Sequence, residues 1–92
     1  MLTIAEKDII VLSEKILYEL YRQSGGDTSK KLKLNEIFKL ACTGTFQYAN
    51  EENNPQLLNQ IIMILQKEDY IEKEGDKINI TDKGKIHVNN NN

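Results

Sequence analysis

Residues 54–85 restrict what this chain can fold into more than any other stretch. Asn54-Pro55 leads into Gln-Leu-Leu-Asn-Gln-Ile-Ile-Met-Ile-Leu-Gln-Lys (56–67), and Asp69-Tyr70 leads into Ile71-Glu-Lys-Glu-Gly75-Asp-Lys-Ile-Asn-Ile80. Asparagine before proline is a strong helix start: the amide caps the free backbone N–H groups, and proline suits the first helical position. At about 100° per residue, Leu57, Leu58, Ile61, Ile62, Ile64 and Leu65 fall within an arc of roughly 160°. Gln56, Asn59, Gln60, Met63, Gln66 and Lys67 take the other side. Beyond Tyr70 the apolar period changes to two. Residues 70–74 and 77–81 are predicted to pair as a hairpin across Gly75-Asp76, a glycine-first loop that suits a type I′ or II′ turn. Ile71, Ile78 and Ile80 then point to the core, and Glu72, Glu74, Lys77 and Asn79 to solvent.

Upstream, Thr3 and Glu6 form a capping box for a first helix that runs to about Gln23, where Ser24-Gly25-Gly26 stops it. Ile9, Leu12, Ile16 and Leu20 make one stripe, with Ile10, Leu17 and Tyr21 beside it, and together they are predicted to face the core. Ile4, Val11 and Tyr18 form a second, thinner line with seven-residue spacing on a face otherwise carrying Lys7, Asp8, Glu14, Lys15 and Arg22. That spacing points to a partner helix, with a homodimer through this helix as the expected arrangement. The competing reading is scattered surface apolars.

The loop 24–31 is polar and ends in a basic cluster, Lys30, Lys31 and Lys33. Leu32-Lys33-Leu34 alternates like a very short strand. Asn35 is predicted to cap a second helix from Glu36 to about Thr43, with Ile37, Leu40 and Ala41 inward, Phe38 joining that core and Lys39 exposed. The stretch 45–54 is a link of about ten residues in which Phe46, Tyr48 and Ala49 point to some packing against the core. After the hairpin, Thr81-Asp82 is expected to start a short helical turn bearing Ile86 and Val88, and the four closing asparagines (89–92) read as a disordered polar tail.

The order is therefore helix, short strand, helix, helix, hairpin, in a single domain covering 1–88. Ile80-Thr81-Asp82-Lys83-Gly84-Lys85 resembles the Leu-Thr-x-x-Gly-basic ending common after the wing of winged helix-turn-helix proteins. Together the order and the ending resemble the winged helix-turn-helix superfamily over Thr3 to about Val88; the long 45–54 link departs from its compact pattern. The resemblance implies a mainly α fold with a small β-hairpin (α+β), a three-helix core plus a C-terminal β-wing. It also implies double-stranded DNA as partner, bound by a small transcriptional regulator with helix 55–69 in the major groove and hairpin 70–81 as wing. On that reading Gln56, Asn59, Gln60 and Met63 contact base edges, and Lys30, Lys31, Lys33, Lys39, Lys67, Lys73 and Lys77 contact the phosphate backbone.

Charge weighs against that partner. The net charge is −2 and the pI about 5.4, whereas nucleic-acid binders usually carry a basic footprint. Glu51 and Glu52 precede the reading helix, and Glu72, Glu74 and Asp76 nearly neutralise the hairpin. The alternative is a winged-helix module for protein–protein contacts, which the acidic pI, the tyrosines and the second apolar line of the first helix suit.

Catalysis has little to stand on. His87 is the only histidine and Cys42 the only cysteine, no cluster has metal-ligand spacing, and no glycine-rich phosphate loop occurs. The expectation is a protein that is not an enzyme and uses no cofactor. Cys42 reads as a small buried hydrophobe rather than a redox thiol, and a lone cysteine fits a reducing compartment. The longest wholly apolar run, Ile61 to Leu65, is too short to span a bilayer, and the N-terminus lacks the basic-then-apolar pattern of a signal peptide. A cytoplasmic protein without membrane contact or small-molecule substrate is the expectation.

Overall fold

The computed structural model describes residues 6–42 and 55–90. Among them the chain is mainly helical, with a small three-stranded antiparallel sheet: α1 (Glu6–Ser24), β1 (Leu32–Lys33), α2 (Leu34–Cys42), α3 (Pro55–Lys67), β2 (Ile71–Glu74), β3 (Lys77–Ile80) and α4 (Asp82–Asn90). The expected caps Thr3 and Asn54, the link 45–54 and the last asparagines Asn91 and Asn92 lie outside the described residues.

α1 and α3 end in the same way. Gly25 N donates to Arg22 O and Gly26 N to Tyr21 O, with Gly25 at φ 65°. Asp69 N donates to Gln66 O and Tyr70 N to Leu65 O, with Asp69 at φ 63°. Both are Schellman motifs, in which a left-handed residue lets its own N–H and the next one turn back onto free helix carbonyls. Glycine fills that position in α1. In α3 it is an aspartate, one of the few other residue types that tolerates it.

The sheet order is β1-β3-β2. β2 and β3 pair Ile71 with Ile80 through Glu74 with Lys77, and β1 adds Leu32 opposite Ile78 and Lys33 opposite Lys77. Gly75 has φ 62° while Asp76 does not share the positive φ, which fits type II′ of the two expected turns. β1 passes straight into α2: Leu34 N donates to Asp76 O at 2.8 Å, so the hairpin turn serves the start of α2. The helix therefore begins at Leu34, and Asn35, expected as its cap, sits exposed in the first turn.

The core gathers Leu12, Ile16, Leu17 and Leu20 of α1, Ile37 and Phe38 of α2, Leu57, Ile61 and Leu65 of α3, the sheet's Ile71, Ile78 and Ile80, and Val88 of α4. Three side chains depart from expectation. Leu40 was expected inward and is 42% exposed; with α2 starting at Leu34, the buried set is Leu34, Ile37, Phe38 and Ala41, an i, i+3, i+4, i+7 face that turns Leu40 outward. Ile10, expected to face the core alongside the main apolar stripe of α1, is 50% exposed because it lines an open groove between α1 and α3. Ile64, counted among the buried residues of α3, is half-buried on the same groove.

Asn79 is the opposite case. It lies on the outer face of the sheet, as the alternation requires, yet is buried. The loop before β1 folds over it, and its amide donates to Thr28 O and to Glu72 Oε1, both at 2.9 Å. α4 is longer than the single turn expected and packs on α1; it runs to Asn90, so Asn89 and Asn90 are helical rather than tail.

Candidate nucleic-acid interface

α3 presents a polar face because its apolar residues are committed to the opposite side. Leu57, Leu58, Ile61, Ile62 and Leu65 are buried, while Gln56, Asn59, Gln60, Gln66 and Lys67 are exposed and Met63 is 67% exposed. The residues expected to meet base edges thus share one accessible helix face. Three amides offer paired donors and acceptors, and Met63 offers an apolar tip. Lys67, one turn after Met63, is the cation of that face.

The expected backbone-contacting lysines are all exposed, but they do not form one group. Lys39 stands on α2 and Lys67 at the C-terminal turn of α3. Lys30, Lys31, Lys33, Lys73 and Lys77 belong to the sheet and the loop leading into it. Lys30 Nζ donates to Gln23 O at 3.4 Å, and Lys31 Nζ is 3.0 Å from Glu74 Oε1. Lys33 and Lys77 face each other across the β1–β3 ladder.

On α1, Val11 and Tyr18 are 47% and 43% exposed, as the dimer reading requires; Ile4 lies outside the described residues. Glu14 falls between them on the helix surface. Its carboxylate is 2.7 and 2.9 Å from His87 Nε2 of α4, and the His87 ring stacks on Tyr70 with centroids 4.3 Å apart. Burial, then Glu68 and Glu14, push the Tyr70 phenol above its ordinary pKa. His87 is therefore part of the packing between α1, α4 and the end of α3, a role its place near the C-terminus gave no sign of.

Sequence reasoning also missed the groove between α1 and α3. It has a volume of about 890 Å³, with Ile9, Ile10, Met63 and Ile64 as its apolar walls and Gln60, Gln66, Lys67 and Glu68 around them. Gln60 and Met63 thus belong to both the amide face and the groove. Met63, an apolar residue on the polar side of α3, carried part of the signal, whereas Ile10 was expected to face the core, and only the packing of α1 against α3 brings the two together.

Among the described residues, no group of three or more His, Cys, Asp or Glu side chains is placed to hold a metal ion, and no helix is long and apolar enough to cross a membrane. Comparison with protein-family models, with curated proteins and with solved structures finds no match for the chain.

Proposed function

We propose that the chain is a winged-helix domain that binds double-stranded DNA as a small transcriptional regulator, with α3 in the major groove and the β2–β3 hairpin as wing. The observation that carries the reading is the outward face of α3. Gln56, Asn59, Gln60 and Met63 are exposed together on a helix whose other side anchors it in the core. The order α1-β1-α2-α3-β2-β3 with a β1-β3-β2 sheet supports the winged-helix assignment. Amide side chains pair with the N6 and N7 edge of adenine, and Met63 suits a thymine methyl. The lysines around the sheet, with Lys39 and Lys67, would hold phosphates and fix the register without reading sequence.

The test is binding to duplex DNA across a salt series. Affinity is expected to fall steeply with salt, and Lys30→Glu combined with Lys31→Glu to abolish it. A folded wild-type protein with no DNA affinity even at low salt removes this reading.

A second reading, a protein–protein interaction module, is favoured by the α1–α3 groove, whose apolar walls include the exposed side chains of Ile10 and Met63. Ile10 separates the two, because it lines the groove and lies off the amide face. Ile10→Glu is expected to leave DNA affinity unchanged if α3 reads DNA, and to abolish partner capture if the groove is the working surface.

A further inference from the structure

The outer face of the sheet carries an arrangement that sheets ordinarily avoid. Lys33 and Lys77 are directly opposed on β1 and β3. Leu34 N donates to Asp76 O, so the neighbouring pair 34–76 is a hydrogen-bonded one. Lys33–Lys77 then falls at the non-hydrogen-bonded position, where opposed side chains come closest, with α-carbons about 4.5 Å apart. Like charges at directly opposed positions weaken a sheet. Both lysines are exposed, and neither has a carboxylate within ion-pair distance among the described residues.

One carboxylate stands beside them. Glu74 is the cross-strand partner of Lys77 on the far side, so Lys33, Lys77 and Glu74 form a row across the three strands. Lys31, two residues before Lys33 and on the same side of the chain, reaches over to place Nζ 3.0 Å from Glu74 Oε1. The other acid on this face, Glu72, is already held by the Asn79 amide. Glu74 therefore offsets the local positive charge by pairing with Lys31, while Lys33 and Lys77 have no ion-pair partner among the described residues.

We infer that Lys31, Lys33 and Lys77 form a binding site for a phosphate-bearing anion, the phosphodiester of a polynucleotide backbone, and that Glu74 holds one of the three, Lys31, within the chain until the ligand displaces it. The polynucleotide source rests on the DNA reading above; the shared chemistry, phosphate oxygens accepting from two or three ammonium groups, does not. A phosphate oxygen arriving between Lys33 and Lys77 relieves their mutual repulsion and takes Lys31 from Glu74. Both ends of the Lys31–Glu74 pair are solvent-exposed, at 42% and 80%, and exposed ion pairs are weak enough for such an exchange to be easy. Glu74 sets the affinity and salt sensitivity of the sheet face without contacting a base.

The test compares wild type with Glu74→Gln, with Lys33→Ala/Lys77→Ala, and with Glu19→Gln as a variant of equal charge change on α1. Each is titrated with a labelled 20-base-pair duplex over a salt series and, as ¹⁵N-labelled protein, with inorganic pyrophosphate. Glu74→Gln is expected to bind duplex about three- to tenfold more tightly with a salt slope steeper by about one ion, Glu19→Gln to change little, and the double lysine variant to bind more weakly than wild type. Equal affinity of wild type and Glu74→Gln for duplex overturns the inference and leaves the DNA reading standing. Pyrophosphate shifts at the Lys33 and Lys77 amides that strengthen in Glu74→Gln, with no duplex binding, keep the anion site and remove the DNA reading. No response of these amides to either ligand overturns the site.

Discussion

The hydroxyl of Thr81 donates to the carbonyl of Asp69 at 2.6 Å and accepts from the N–H of Gly84 at 3.0 Å. One side chain thus caps the start of α4 and satisfies a carbonyl at the end of α3, across the open end of the hairpin. Tyr70 O, next along, accepts from Thr81 N at 3.0 Å. Thr81→Val keeps the shape and removes the hydroxyl. It is expected to cost about 1–2 kcal/mol, as a lost helix cap does, with Thr81→Ser close to wild type; urea unfolding of the three proteins checks this.

Gly84 explains the spacing of the Thr-x-x-Gly ending. A β-carbon there would run into the Tyr70 carbonyl oxygen and lie 2.9 Å from Ile80 Cγ1. The first of these is backbone that already serves the hairpin, so little can give way. Gly84→Ala is expected to destabilise by about 1–3 kcal/mol through overpacking, although alanine is the better helix former. A melting temperature equal to or above that of wild type would show that the turn relaxes around the methyl.

Asn79→Ala is expected to cost about 1–3 kcal/mol, because it leaves the Thr28 carbonyl without its amide donor under a covered face. Loosening of the loop before β1 should accompany it, seen as faster amide exchange at residues 27–31. Unchanged exchange there would separate the loop from Asn79.

The Asp27 carboxyl is held below its ordinary value of 3.8, first by the Ser29 hydroxyl and then by the Ser29 N–H, at 2.6 and 2.9 Å. A carboxyl lowered in the folded state contributes stability that is present above the unfolded value, near 3.8, and is lost as pH falls through the lower folded value. Ser29→Ala should raise the Asp27 pKa toward the ordinary value in a carboxyl NMR titration, and acid should then loosen this loop at a higher pH. An unmoved titration would assign the shift to another cause.

These particulars show which parts of the fold were legible beforehand. α3 and the hairpin could be read because cap, period and turn are local signals: Pro55, the six-residue apolar arc and Gly75-Asp76 each act within a few residues. The phase of α2 could not, since it depends on Leu34 starting the helix, and that start depends on Asp76, more than forty residues away in the chain. Asn79 followed the strand alternation correctly and was still misjudged, because what covers it is the distant Thr28 loop. The same holds for the site. The exposure of the α3 amides follows from periodicity, whereas the α1–α3 groove and the Lys33–Lys77 opposition are products of tertiary register.

Val11 and Tyr18 supply the last prediction. Two helix turns apart on one face of α1 and 47% and 43% exposed, they bracket Glu14, which His87 holds from α4. Pairing two copies in parallel would set Glu14 against Glu14. An antiparallel pairing about a two-fold axis between Glu14 and Lys15 instead sets Val11 of one protomer against Tyr18 of its partner, and Glu14 against Lys15 twice. The protein is therefore expected to self-associate in a concentration-dependent way in sedimentation experiments. Val11→Glu should give monomers of retained helicity by placing a carboxylate at the apolar seam, and Lys15→Glu should weaken association by removing both charge pairs. A wild-type protein that sediments as a monomer across the concentration range ends the dimer proposal. Association that persists in Val11→Glu moves the interface off this face of α1, and the groove formed by Ile10 and Met63 then becomes the next surface to test.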